Sequence, residues 1–112
     1  MSDCLFCKII ASGIPSKKVY EDDLCYAFHD IAPQAPTHLL VIPKAHIQSV
    51  SQVDESNQAT VGHLFAVIAR LARELGLDSY RVVSNIGAQA GQSVFHLHFH
   101  VLAGRDMTWP PG

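Results

Sequence analysis

The segment from His96 to Leu102 alternates three histidines with large apolar residues. Successive side chains of a strand point to opposite faces, so the three imidazoles share one face while Leu97, Phe99 and Val101 share the other. The apolar face needs a core to cover it, which predicts a strand that packs against the core on this side. Three titratable rings side by side are a poor choice for the other face unless they contact a ligand. The alternation therefore predicts a buried strand with a ligand-binding face.

The remaining pattern predicts the other elements of an α+β fold. Gly13 and Gly76 each end a helical pattern, and Asp22-Asp23 marks a tight turn between two strands. The order favours a largely antiparallel five-stranded sheet with one short and one long helix, in a single domain over residues 1–112. The predicted helices are residues 4–12 and 56–75, and the predicted strands are residues 19–21, 24–29, 38–42, 80–86 and 96–103.

Composition narrows the class of partner. The chain has 112 residues, of which 48% are hydrophobic, and its formal net charge is only −2. A balance this close to neutral does not steer a protein to nucleic acid or to an acidic membrane surface. The N-terminus has no signal pattern, and the apolar run 39–42 is far too short to span a bilayer. We expect a cytoplasmic protein with a small-molecule ligand.

The spacing of the three histidines bears on what they bind. At about 3.4 Å per residue, the Cα atoms of His96 and His100 lie roughly 13 Å apart, a separation that does not suit one zinc ion bound by all three. Neighbouring pairs remain able to share an ion. The row suits a phosphate, and a neutral imidazole is also a nucleophile for phosphorus. Just upstream, Gly91-Gln92-Ser93 offers backbone N–H groups and a hydroxyl to the same anion.

Residues 96–102 resemble the His-x-His-x-His-x-x signature of the histidine triad superfamily. Residues 28–38, 41–44 and 91–94 and the tail Trp109-Pro110-Pro111-Gly112 are similar to its Hint branch, so the resemblance covers nearly the whole chain. It implies a HIT-like fold and a hydrolase that cleaves adenosine 5'-phosphoramidates to AMP and amine. It also implies a homodimer in which Trp109 and the tail reach toward the partner's active site.

The resemblance also implies individual roles. His98 matches the nucleophile, which forms an adenylyl-histidine that water then opens. His100 matches the residue that contacts the phosphate, His38 matches an upstream histidine that completes the cluster, and Ser93 adds a donor. Asp30 matches the residue that binds the ribose hydroxyls, a sensible role for a carboxylate. The implied nucleotide-binding set is Phe6, Ile9, Phe28, His29, Asp30, Ile31, Asn85, Gly91, Gln92, Ser93, His98 and His100, with the base between the apolar members.

The pair Cys4 and Cys7 forms a Cys-x-x-Cys motif, which suggests metal or redox chemistry but does not identify further ligands. Similarity to zinc-bearing members of the superfamily implies that His46 and His96 complete a structural zinc site that pins the first helix to the sheet. Two free thiols in a packed helix are the alternative. Cys25 lies in an apolar run, which predicts a buried small side chain. No pair of acidic residues is arranged for magnesium, so we expect catalysis without a cofactor.

Two other functions remain open from the sequence. A dinucleotide polyphosphate hydrolase of a sister branch would use the same nucleophile, although the tail at residues 109–112 favours the Hint branch. A nucleotide-binding sensor or scaffold without activity is the second alternative, and only a turnover measurement separates it from an enzyme.

Overall fold

The computed structural model describes residues 3–112, which form a five-stranded antiparallel sheet with a helix packed on each face. This confirms the predicted α+β class. No helix among these residues is long and apolar enough to cross a membrane. The strands follow the order β1-β2-β3-β5-β4 across the sheet. The elements are α1 (Leu5–Ile10), β1 (Lys18–Glu21), β2 (Cys25–His29), β3 (Thr37–Pro43), α2 (Gln58–Glu74), β4 (Tyr80–Val83) and β5 (Phe99–Ala103).

Strand β3 lies at the centre of the sheet, as its continuous apolar run predicts. Leu39 and Val41 are fully buried in a cluster with α2, whereas Leu40 and Ile42 pack on the opposite face with Phe6 of α1. Each strand residue thus contributes to one of two cores. The α2 face holds the larger core, and the α1 face is only partly covered.

The turn between β1 and β2 is built around Asp22. Its Oδ1 accepts the N–H groups of Leu24 and Cys25 at 2.8 and 2.9 Å, and its Oδ2 accepts the Tyr20 hydroxyl at 2.8 Å. The same oxygen lies 2.6 Å from His63 Nε2, which ties the turn to α2. Burial acts to raise the pKa of Asp22, but these hydrogen bonds outweigh it and hold that pKa well below its usual range. Cys25 is fully buried, as predicted.

Helix α2 begins two residues later than predicted and ends before Gly76, whose φ of +70° suits a glycine. Its buried stripe faces the sheet. Phe65 and Leu75 follow the same helical spacing of apolar residues, yet both are about half exposed, and Leu75 is the residue that caps the helix. The Phe65 ring still contacts Phe99, with centroids 4.8 Å apart. The buried helix residues are Leu64, Val67, Ile68, Leu71 and Ala72.

Strands β4 and β5 are shorter than the predicted 80–86 and 96–103. The ladder between β3 and β5 stops at the Val41 and Phe99 pair. Beyond that point the Leu97 N–H donates to the Ile47 carbonyl at 2.6 Å, outside the sheet. The connection between these two antiparallel strands is therefore a long loop that contains a 3-10 turn at Ala88–Ala90. His96 and His98 belong to this loop, although residues 96–101 keep the predicted alternation of faces.

Candidate active site

A cavity of about 920 Å³ opens on the α1 face of the sheet. Ten of the predicted catalytic and nucleotide-binding residues line it: Phe6, Ile9, Phe28, His29, Asp30, Ile31, His38, Ser93, His98 and His100. Nine further lining residues had no assigned role in the sequence: Leu5, Ile14, Pro15, Ser16, Lys17, Pro33, Pro36, Leu40 and Val94. Residues 14–17 were missed because the link between α1 and β1 carries no motif, and only its position after the helix could have indicated it.

The apolar part of the cavity is formed around Phe6. Its ring packs edge-on against Phe28, with centroids 5.7 Å apart, and against His98, with centroids 5.0 Å apart. Ile31 borders the same cavity and is fully exposed. An isoleucine left open to water beside a flat apolar slot is a surface that a planar ligand would cover.

His98 is held by the backbone in one tautomer. Its Nδ1 lies 2.7 Å from the His96 carbonyl oxygen, which can only accept a hydrogen bond. We therefore assign the proton to Nδ1, which leaves the lone pair on Nε2. Burial lowers the pKa of His98 from its ordinary value, so the ring is neutral at neutral pH. The Ser84 hydroxyl donates to the His98 carbonyl at 2.8 Å and anchors the residue from behind. The result is a buried neutral imidazole with a free nitrogen lone pair.

A second chain of hydrogen bonds fixes His38 and His100. The Gln34 backbone N–H, which can only donate, reaches His38 Nδ1 at 3.0 Å. This puts the proton of His38 on Nε2, which lies 2.9 Å from His100 Nδ1. His100 in turn carries its proton on Nε2. Burial lowers the pKa of His38, and burial together with His98 and His38 lowers the pKa of His100 to about 4. Both rings are therefore neutral, and His100 keeps an N–H for another acceptor.

Asp30 lies beside this pair. Its Oδ1 accepts the Ala32 N–H at 2.8 Å, and its Oδ2 lies 3.3 Å from His38 Nε2 and 4.0 Å from His100 Nδ1. The predicted contact with ribose remains a prediction, and the carboxylate does line the cavity. Its proximity to His38 was not predicted. A carboxylate at this position stabilises positive charge on either ring.

Three of the predicted phosphate-site residues lie outside the cavity lining. The Gln92 side chain is buried, and its Nε2 donates to the carbonyls of Gln48 and Val94 while its Oε1 accepts the Gly87 N–H. The Gln92 N–H donates to the Gly87 carbonyl, so the residue braces the loop and has no donor left for an anion. Gly91 has φ of +98°, and a Cβ there would lie 3.5 Å from the Asn85 amide nitrogen. Asn85 and Gly91 thus shape the loop that carries Ser93.

The four predicted metal ligands meet at the other end of α1. Cys4 Sγ and Cys7 Sγ lie 3.4 and 3.6 Å from His96 Nδ1, and Cys7 Sγ lies 3.4 Å from His46 Nδ1. His96 Nε2 lies 2.8 Å from the Pro43 carbonyl, which assigns the proton to Nε2 and leaves Nδ1 free for a metal. The ligand atoms of all four residues lie within 4.8 Å of one another.

These distances fit a tetrahedral zinc ion. Bonds of about 2.3 Å to sulfur and 2.1 Å to nitrogen, meeting at a tetrahedral angle, place the two ligand atoms about 3.6 Å apart. Two thiols and two imidazoles fill all four positions, so no position is left for a substrate. The donor set therefore suits a structural ion and not a catalytic one.

Comparison with known proteins places the chain in a family. Residues 11–107 match the HIT domain. The chain belongs to this family. The HIT protein is 50% identical over 111 residues to an uncharacterized HIT-like protein of Synechococcus elongatus, covering 98% of this chain and 97% of that one. It superposes on a HIT family hydrolase from Legionella pneumophila with a TM-score of 0.95 and 46% identity, covering 98% and 100% of the two chains.

A more distant solved structure has a name that refers to a ligand. The histidine triad nucleotide-binding protein from Candida albicans matches the HIT protein with a TM-score of 0.84 and 34% identity. The match covers 98% of this chain and 85% of that one. Both solved structures share the fold described above over nearly its whole length.

Proposed function

We propose that this HIT protein is a nucleoside phosphoramidase of the Hint branch, which hydrolyses adenosine 5'-monophosphoramidates to AMP and an amine. The observation that carries the proposal is the state of His98. It is a neutral imidazole that lines the cavity, with its Nδ1 proton held by a backbone carbonyl and its Nε2 lone pair free. Such a nitrogen is a competent nucleophile for phosphorus.

The reaction has two displacements. His98 Nε2 forms a bond to the α-phosphorus as the phosphorus–nitrogen bond of the substrate breaks, and the departing amine takes a proton from solvent, because the neutral His100 ring has a single N–H that serves only as a hydrogen-bond donor. Water then attacks the phosphorus, loses a proton to solvent and releases AMP as the bond to His98 breaks, which returns His98 to its neutral state. The His98 ring is positively charged in the intermediate, and the His96 carbonyl on its Nδ1–H stabilises that charge.

The rest of the cavity supports a purine nucleotide as the substrate. The adenine lies in the slot formed by Phe6, Phe28 and Ile31, and Asp30 accepts hydrogen bonds from the ribose hydroxyls. Ser93 and the His100 N–H stabilise charge on the nonbridging phosphate oxygens. All of these residues line the one cavity.

The similar proteins and the C-terminal tail support the same assignment. The Legionella protein is called a hydrolase and the Candida protein a nucleotide-binding protein. The tail at residues 109–112 is similar to that of the Hint branch, which favours a phosphoramidase over a dinucleotide polyphosphate hydrolase.

The test is a turnover assay on adenosine phosphoramidates with a series of leaving amines, run beside diadenosine polyphosphates. We expect AMP release from the phosphoramidates and a loss of about 10³-fold or more in kcat for His98→Ala. Arg73→Ala, on the exposed end of α2, is the matched control. Faster cleavage of the polyphosphates would favour the sister branch, and AMP binding without turnover of either substrate would favour a sensor.

A structural zinc ion is part of the proposal. Cys4, Cys7, His46 and His96 would hold it, and it would supply cross-linking between α1, the segment after β3 and the loop before β5. His96 then serves the metal through Nδ1 while its carbonyl orients His98. The metal takes no part in the reaction itself.

A homodimer is the last part of the proposal. Strand β4 pairs with β5 on one side only within residues 3–112, and its Tyr80 and Val82 are exposed. Trp109 is 81% exposed, and the Arg81 guanidinium lies 6.0 Å from its ring while donating to the Thr108 carbonyl. An open strand edge with apolar side chains is a surface that a second copy would cover. Sedimentation of a monomer at micromolar concentration would contradict this assignment.

A further inference from the structure

The turn after β5 touches the loop of residues 30–36 at two points. The Arg105 Nε donates to the Gln34 carbonyl at 2.9 Å, and its Nη1 donates to the Asp106 carbonyl at 3.1 Å. Gly104 has φ of +97°, and a Cβ at this position would lie 2.9 Å from Pro36 Cβ. The turn therefore contacts the loop in two ways. Gly104 packs closely against Pro36 because it has no side chain, and Arg105 holds Gln34 by a hydrogen bond.

The loop held in this way sets the state of the histidine pair. The residue whose carbonyl Arg105 binds is the one whose own N–H donates to His38 Nδ1. That N–H keeps the proton of His38 on Nε2, from which the hydrogen bond to His100 follows. If Gln34 moves, His38 loses the donor that selects its tautomer, and a His38 with its proton on Nδ1 has none to give to His100.

We propose that Arg105 is a positioning residue for the reaction, acting through Gln34 on the His38 and His100 pair. This inference rests on the proposed function only for its effect on turnover, because the tautomer of His38 is a property of the protein alone. Arg105 does not line the cavity, and its side-chain hydrogen bonds go to Gln34 and Asp106 and to none of the four histidines that line the cavity. Its planar guanidinium bridges two carbonyls, which fixes the direction of the Nε–H bond more firmly than a lysine would.

The prediction is tested with Arg105→Ala, Gly104→Ala and the control Arg73→Ala, each in the full-length protein. Arg105 is exposed, so its removal leaves the core intact. We expect kcat to fall about tenfold in Arg105→Ala, because the donor that selects the His38 tautomer is then held less firmly, and AMP affinity to change less. Long-range ¹H–¹⁵N spectra should show the Nε2–H tautomer of His38 in wild type and a mixture of tautomers in Arg105→Ala. Gly104→Ala, which pushes the same loop from Pro36, should give the same mixture.

A double-mutant cycle separates positioning from general destabilisation. If Arg105 acts through His38, then Arg105→Ala made in the His38→Ala background should lower kcat by less than about twofold. A full additive loss in that background, or an unchanged His38 tautomer in Arg105→Ala, would overturn the inference. Absence of phosphoramidate turnover in wild type would instead refute the proposed function, and the spectra would still decide the role of Arg105.

Discussion

The Nε2 atom of His38 lies 2.9 Å from Nδ1 of His100, and the Asp30 carboxylate is 3.3 Å from the same His38 nitrogen. The chain of hydrogen bonds starts at the Gln34 backbone N–H and passes through His38 to His100, whose own N–H is on a ring that lines the cavity. The direction of these hydrogen bonds is therefore fixed by the main chain, and each ring donates its hydrogen bond while neutral. This gives the active site a hydrogen-bond donor, the His100 Nε2–H, whose orientation is set before a substrate binds.

Replacement of His38 tests the importance of this pair. His38→Ala removes the hydrogen bond to His100 Nδ1, so we expect kcat to fall by about 10- to 100-fold while AMP still binds. Steady-state kinetics and calorimetric titration with AMP measure the two effects. His29→Ala, which removes an exposed histidine at the rim of the cavity, should lower kcat much less. A His38→Ala protein with wild-type kcat would show that the pair has no part in the reaction.

The pH dependence of turnover follows from the state of His98. Only the neutral ring can attack phosphorus, and burial lowers the pKa of His98 below its ordinary value of 6.5. Activity should therefore be constant above that value and decline only as the pH falls through the lowered pKa. A profile of kcat/KM from about pH 4 to pH 9 measures it. An acid limb with its midpoint above neutral pH would contradict the assignment of a buried neutral nucleophile.

Metal analysis tests the zinc site. Protein purified without added zinc should contain about one equivalent, and the double variant with Cys4→Ser and Cys7→Ser should contain none and unfold at a lower temperature. Cys25→Ala is the matched control, because this cysteine lies outside the cluster and should leave the zinc content unchanged. A metal-free wild type of normal stability would leave the two thiols as ordinary packing residues.

The stereochemical course at phosphorus distinguishes a covalent intermediate from direct hydrolysis. Two in-line displacements, first by His98 and then by water, invert the phosphorus twice and retain its configuration overall. Direct attack by water inverts it once. A chiral phosphorothioate analogue hydrolysed in labelled water should give retention, and rapid denaturation during turnover should trap an adenylyl group on His98. Net inversion would remove His98 from the nucleophile role.

The sequence predicts much of this arrangement because period-two alternation and metal-ligand spacing are local signals. The alternation predicts which side chains of residues 96–101 point to the core and which to the ligand. The resemblance implies that His46 and His96 lie close to Cys4 and Cys7. Contacts set by distant backbone groups are not visible in such patterns. The start of β5 depends on the Ile47 carbonyl, and the role of Gln92 depends on carbonyls that only the fold brings to it.

A different limit applies to the tautomers of the histidines. The sequence indicates that His38, His98 and His100 act together, but the groups that decide their protonation are the Gln34 N–H and the His96 carbonyl. Any residue type provides these groups, so no motif records them. Arg105 was missed for a related reason, since its partner is a carbonyl and not a side chain.

In the segment 97–101, residues that stabilise the fold alternate with residues that line the active site. Leu97, Phe99 and Val101 belong to the core beneath α2, whereas His98 and His100 border the cavity. In a saturation scan that scores abundance and activity separately, the defect caused by polar substitutions should therefore alternate from each position to the next. Polar substitutions at the odd positions should deplete the protein, while those at the even positions should leave abundant protein without activity. Selection acting on fold and on catalysis can thus proceed independently along five consecutive codons.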